Sequence, residues 1–239
     1  MLRLSLLLSF AFLAPAQAAG PLSSPGAPAE AFPKPDRPVA EIVAPQWTAE
    51  AERDRIGEFE AVAKAMKIGP GETVADIGAG SGYYVVRLSP RVGPSGKVLA
   101  EDVTPAYLAS LERRVKGLGN VTVVRGEPHD PRLPPASVDA VVLVHMYHEI
   151  TQPFGLLYNL APAMRPGGRV GILDANDIPS RHGTPPALLR CELAAVGYRE
   201  TGFHTMPDGT YLAVFEAPAP EARPKPDTIR PCKDAASAR

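Results

Sequence analysis

The sequence predicts an α/β fold, a mostly parallel sheet covered by helices on both faces. Three observations predict it. Strand-like and helix-like segments alternate from about residue 56 to residue 216. The segment Val138–Val144 is an almost unbroken apolar run, which suits a central strand buried on both faces. The segment Thr73–Ile77 runs straight into Gly78-Ala79-Gly80-Ser81-Gly82, a glycine turn that opens a helix at the carboxyl edge of a sheet.

Each element follows in order. A helix is expected from Trp47, capped by Thr48, because Ile56, Phe59, Val62, Ala63 and Met66 recur at helical spacing. Gly69-Pro70-Gly71 stops it. After the strand at 73–77 comes a helix over 83–88, stopped near Pro90. Residues 97–100 form a strand that ends in Glu101-Asp102, and Thr104 caps a helix through Lys116. Glycines at 117 and 119 break it before a strand at 121–124. Beyond the apolar strand at 138–144, residues 152–164 are helical and Pro166-Gly167-Gly168 ends them. A strand at 169–173 ends at Asp174, and a helix covers 185–196. Strands at 198–204 and 211–216, joined through Pro207-Asp208-Gly209, close the sheet with an antiparallel pair. There is no internal repeat.

A chain of 239 residues, 45% of them hydrophobic, can bury one substantial core and still carry extensions. The net charge of −1 gives no bulk attraction to nucleic acid or to an anionic membrane. No basic stripe with interleaved aromatics suggests a nucleic-acid partner either. Residues 1–18 read as a secretory signal: Arg3, an apolar run over 4–13, and the small-x-small cleavage site Ala16-Gln17-Ala18. The run is short for a spanning helix of about 20 residues, and Pro15 follows at once. A cleaved signal, a mature chain starting near Ala19 and export to the periplasm are the expectation. No later segment is long and apolar enough to span a bilayer. Residues 19–46 read as a Pro/Ala-rich linker, 47–217 as the domain, and 218–239 as a disordered Pro-rich tail. Cys191 and Cys232 allow one bridge without implying it.

The segment Val74-Ala75-Asp76-Ile77-Gly78-Ala79-Gly80-Ser81-Gly82 carries most of the functional information. A lone glycine turn says only that a nucleotide-like ligand can approach the backbone closely. Three details narrow it. Gly82 follows Gly80 by two positions, where the dinucleotide pattern G-x-G-x-x-G needs three. Asp76 precedes the first glycine, where it would repel a pyrophosphate and suit a cationic amino-acid group. Asp102 lies at the end of the next strand, where a carboxylate can hold ribose hydroxyls. A ribose, no phosphate and a cationic end describe S-adenosylmethionine (SAM) better than NAD.

On these residues the chain resembles the class I SAM-dependent methyltransferase family. Asp76-Ile77-Gly78-Ala79-Gly80-Ser81-Gly82 is similar to the family's first motif, and residues 98–103 to its second strand with a ribose-binding acid. Leu133-Pro134 with Asp139-Ala140-Val141-Val142 is similar to the approach to strand four, and Arg165-Pro166-Gly167-Gly168-Arg169 to the turn before strand five. The resemblance covers roughly residues 56–215. It implies a Rossmann-like seven-stranded sheet of order 3-2-1-4-5-7-6 with strand seven antiparallel, and SAM as cofactor.

The resemblance also implies roles. Asp76 would orient the SAM amino group; Gly78, Ala79, Gly80 and Gly82 would let the ligand lie on the backbone; Asp102, with Glu101 as its competitor, would bind the ribose. The adenine acid would come from the loop at Glu127, His129 and Asp130, with Asp130 favoured. Beyond strand four, His145 is the first candidate for a base, His148 the second, and Tyr147 is placed to pack on a cation. Arg55, on the helix before strand one, is placed to reach a carboxylate. His145, His148 and Glu149, with Asp174, Asn176 and Asp177, raise a metal reading. The H-E-x-x-H pattern is missing, however, and no metal is expected. Recognition insertions for a macromolecule are absent, so a small-molecule acceptor is expected. The competing reading is an exported protein that holds SAM, S-adenosylhomocysteine or a nucleoside without turnover.

Overall fold

A computed structural model describes residues 19–42 and 50–233. The signal-peptide expectation at 1–18, the Thr48 cap and residues 234–239 lie outside the described residues. Seven strands form one sheet: β1 (Thr73–Ile77), β2 (Lys97–Asp102), β3 (Val121–Arg125), β4 (Val138–Val144), β5 (Met164–Asp174), β6 (Arg199–Thr205) and β7 (Tyr211–Glu216). The order is β3-β2-β1-β4-β5-β7-β6, with β7 antiparallel to both neighbours. This is the topology expected of the class I methyltransferase fold.

Alternation along the strands divides the core in two. Ala75, Ile77, Leu99, Val141 and Leu143 face one side. They pack against Leu157 and Leu160 of α5 (Pro153–Leu160) and Leu189 and Leu193 of α6 (Pro186–Ala195). Val74, Val98, Ala140 and Val142 face the other side. There they meet Val62 of α2 (Glu58–Ala65), Leu88 of α3 (Tyr83–Val92) and Leu111 of α4 (Pro105–Arg114). Each fully buried Leu or Val on these faces contributes about 1.5–3 kcal/mol.

Several elements differ from the sequence reading. The helix expected from Trp47 is two: α1 (Glu50–Arg55) and α2, separated by Ile56 and a left-handed Gly57. α3 continues through Pro90 to Val92. Asn120 steadies its end, donating from its side chain to the carbonyls of Ser89 and Gly93 at 2.9 Å. β5 starts at Met164, so the Pro166-Gly167-Gly168 turn sits inside it as an irregularity in the pairing with β4.

The flanks depart most. The expected linker is packed over 19–42. Its Gly20 pairs beside Val124 on the outer edge of β3, Phe32 enters the core against Tyr158, and Arg37 is buried. The Arg37 guanidinium donates to Glu192 at 2.9 Å with both side chains fully buried, and it also reaches the carbonyls of Tyr147 and His148. The expected disordered tail is ordered over 218–233. Ile229 and Cys232 are buried, Cys232 is disulfide-bonded to Cys191 of α6, and Lys233 pairs beside Asp36. Local composition favours disorder in both flanks; the non-local bridge and ion pair supply what their own residues lack. Among the described residues, no helix is long and apolar enough to cross a membrane.

Candidate active site

A cleft of about 260 Å³ opens where β1, β2 and β4 end. Asp76 stands in its wall, 3% exposed, on the face of β1 that it shares with Val74. Burial pushes its carboxyl up to about 8, the Arg53 guanidinium pulls against that rise and the Asp102 carboxylate adds to it. The group therefore keeps its proton at neutral pH until a cation approaches.

Two more acids close on the glycine turn from β2. Asp102 accepts the Gly80 N–H at 2.9 Å and the Thr104 N–H at 2.7 Å. Glu101 accepts the Gly78 N–H at 3.4 Å, and burial with the neighbouring Asp102 charge holds its carboxyl well above the ordinary range. Its Oε1 is buried without a hydrogen-bond partner among the described residues. The backbone at Gly80 is left-handed (φ +52°), and above it a side chain would meet nothing nearer than 3.9 Å. That open space is what a ligand lying on the turn requires. Gly82 serves packing instead: a Cβ there would come 2.6 Å from Leu111, and the residue does not line the cleft.

Arg53 of α1 and residues at and after the end of β4 also line the cleft. The Arg53 guanidinium is 3.8 Å from the Tyr83 ring centre and 2.6 Å from Glu58. Arg55, the expected carboxylate binder, is exposed and paired with Glu52, because it projects from the other face of α1. Arg53, two positions earlier, is the arginine of α1 that lines the cleft. His145 sits on a left-handed backbone (φ +52°), its N–H bonded to the Leu173 carbonyl at 2.8 Å. Its Nε2 lies 3.2 Å from Glu58 Oε2. Burial pushes the Glu58 carboxyl up, but hydrogen bonds from His145 and Arg53 outweigh it and bring the group down to about 2.

Of the sequence-predicted residues, Asp76, Gly78, Ala79, Gly80, Asp102 and His145 line this one cleft. Besides Gly82, three others do not. Asp130 turns away, accepting the N–H groups of Gly26 at 2.8 Å and Arg132 at 2.9 Å; the loop presents Glu127 and Pro128 instead. Tyr147 is fully buried and donates to Glu192 at 2.9 Å, so the cation over its ring is Arg37. His148 is fully buried with Nδ1 on Asp174 at 3.0 Å. A single side chain's facing, in a loop whose turns are set by non-local bonds, was not readable from spacing. Glu58 did leave a signal: it lies one turn from Val62, on the buried face of α2, where an acid needs a partner.

Residues 74–168 match the family model described as a methyltransferase domain. An arsenite methyltransferase of Halobacterium salinarum is 34% identical over 110 residues, 44% of this chain and 27% of that protein. A nocamycin O-methyltransferase of Saccharothrix syringae is 30% identical over 105 residues, 43% of this chain and 38% of its own length. The chain thus spans well under half of these curated relatives. A solved SAM-dependent methyltransferase from Aquifex aeolicus superimposes with a TM-score of 0.64 at 24% identity, covering 71% of this chain and 98% of that one. Residues 74–168 are thus similar to methyltransferase domains, and the sheet has the fold of a solved SAM-dependent methyltransferase. The cleft fits SAM. It offers a buried carboxyl for an ammonium, an arginine for a carboxylate, and unsatisfied acid oxygen beside an open glycine backbone for a ribose.

The depressed Glu58 carboxyl has a pH consequence. A carboxyl held at about 2 in the fold, against an ordinary 4.5, stabilises fully above pH 4.5 and loses that contribution as pH falls toward 2. The swing is on the order of 3 kcal/mol. Denaturant unfolding of wild type and Glu58→Gln from pH 7 to pH 2 checks it. The variant should be weaker at pH 7 and lose less stability on acidification; parallel curves would contradict the ion-paired assignment.

Proposed function

We propose that the chain transfers the methyl group of SAM to a small-molecule acceptor bound beside His145. One observation carries this reading: Asp76, Asp102 and the open Gly80 backbone meet in the same cleft as a histidine held by a buried acid. Bound SAM supplies a sulfonium-activated methyl group that a nucleophile can displace in line.

The chain's own contribution is placement, exclusion of water and handling of one proton. Asp76 takes the ammonium and Arg53 the carboxylate of the amino-acid end. Asp102, with Glu101 beside it, takes the ribose diol. Glu127 and Pro128 border the adenine in place of Asp130. His145 accepts a proton at an imidazole nitrogen from a hydroxyl, thiol or amine acceptor. The Glu58 carboxylate stays ionised across the working range and stabilises the imidazolium that results. Arg53 joins the two functions, since the guanidinium that meets the cofactor also holds Glu58.

Export belongs to the same proposal. The signal-like residues 1–18 suggest it, and the Cys191–Cys232 bond supports it, since such bonds persist in oxidising compartments. Edman sequencing of protein purified from its native cells should begin near Ala19; a start at Met1 would remove the export reading.

Turnover is tested by methyl release from SAM over a panel of alcohols, thiols and amines. At least one acceptor class should be methylated. His145→Ala should lower kcat about 10²–10⁴-fold while leaving SAM affinity within a few-fold. SAM binding without methyl release on any acceptor would overturn the enzyme reading in favour of a SAM-holding protein. Failure to bind SAM at all would overturn both.

A further inference from the structure

Behind the cleft wall, two loops bring nitrogen and oxygen ligands together. His148 and Glu149 follow β4. His182 follows β5, at the end of the 3-10 turn Pro179–Arg181, on a left-handed backbone (φ 57°, ψ 50°) that costs a non-glycine residue free energy. One ligand atom from each of the three lies within 4.8 Å of the other two. His148 Nε2 is 3.9 Å from Glu149 Oε1, and the two imidazole rings meet edge to face with centres 5.4 Å apart.

The surroundings are built to orient one of these ligands. Asp174, fully buried, accepts from His148 Nδ1 at 3.0 Å, from the Thr184 hydroxyl at 2.7 Å and from the Ala175 N–H at 2.8 Å. Thr184 is held in turn by the Tyr211 hydroxyl, which donates to its carbonyl at 2.7 Å. The Nδ1 contact with Asp174 fixes the ring so that Nε2 is the nitrogen directed at Glu149. A carboxylate–histidine pair that presents the opposite nitrogen outward is the outer-shell arrangement of zinc sites.

We propose that His148, Glu149 and His182 bind one divalent transition metal of the zinc class. The sequence reading weighs His148 and Glu149 with the acids after β5 and expects no metal because the H-E-x-x-H pattern is missing; the third ligand in the structure is His182, which that reading does not include. Two imidazoles and one carboxylate suit zinc and its neighbours rather than magnesium or calcium. In a tetrahedral zinc site, ligand atoms lie about 3.3 Å apart, so closing onto an ion needs shifts of under about 1 Å for each side chain. The ion ties the loop after β4 to the loop after β5, and because Glu149 also lines the cleft, it adjoins the cleft. Thiolates do not compete for it, since both cysteines are in the disulfide.

The test uses untagged full-length protein, stripped with a chelator, and does not involve SAM or turnover, so its outcome is separate from the methyl-transfer reading. Titration with Co²⁺ should saturate at one ion per chain and give the visible absorption of a four- or five-coordinate site, and Zn²⁺ should displace it while Mg²⁺ does not. His182→Ala and Glu149→Gln, each first shown to unfold at a temperature near that of wild type, should weaken Co²⁺ binding at least about 100-fold. Asp174→Asn should weaken it about 10–100-fold by loosening His148. No saturable Co²⁺ binding, or unchanged affinity in both ligand variants, would overturn the site.

Discussion

A carboxyl group buried at the end of β1 constrains the whole site. Removing Asp76 from water makes its charged form costly, and the strand neighbours Ala100 and Val142 offer no hydrogen bond in return. The nearest guanidinium, Arg53, is already shared with Glu58 and stacked on Tyr83. The charged form of Asp76 therefore has only a shared cation to offset burial, and the Asp102 carboxylate of β2 adds to the cost. Asp76, Glu101 and Asp102 line the same cleft as Arg53, so three carboxyl groups and one guanidinium set its polarity.

The remainder of the molecule holds that cleft in shape. The sheet order brings the carboxyl ends of β1, β2 and β4 side by side. The loop after β4, which carries His145, is fixed on one side by the bond from His145 N–H to Leu173. On another it is fixed by the N-terminal segment, where Ala40 donates to the His148 carbonyl at 3.0 Å and Arg37 reaches the carbonyls next to it. Arg37 is in turn anchored by Glu192, one residue from the disulfide at Cys191. The two flanks and α6 thus form a brace behind the loop. A fully buried ion pair is costly to desolvate and strongly destabilising to break, which suits a part that sets position more than it adds net stability.

The fold was legible because its signals are local. β1, β4 and β7 have the bounds their apolar patterning predicts, and the glycine turn carries its own geometry in its residue types. The breaks in that success are equally physical. Pro90 ought to end α3, yet Leu88 and Val92 are wholly buried and Asn120 satisfies the exposed carbonyls, so packing overrides propensity. The flanks look like linkers by composition but are held by a long-range bond and a buried ion pair. Within the site, strand residues such as Asp76 and Asp102 fall where alternation puts them. Asp130, Tyr147 and His148 sit in loops, where contacts from Gly26, Glu192 and Asp174 decide which way each side chain faces. Those partners lie between about 26 and 104 positions away, beyond the reach of any local pattern.

The central claim is that Asp76 is a neutral acid waiting for a cation, and proton exchange on ligand binding measures it most directly. Calorimetry of SAM binding at pH 7, repeated in buffers of different ionisation enthalpy, counts the protons released. With the carboxyl near 8 before binding, close to one proton should leave per SAM bound, and Asp76→Asn should bind more weakly and release none. A wild type that binds SAM with no buffer dependence, or that prefers NAD, would contradict the account.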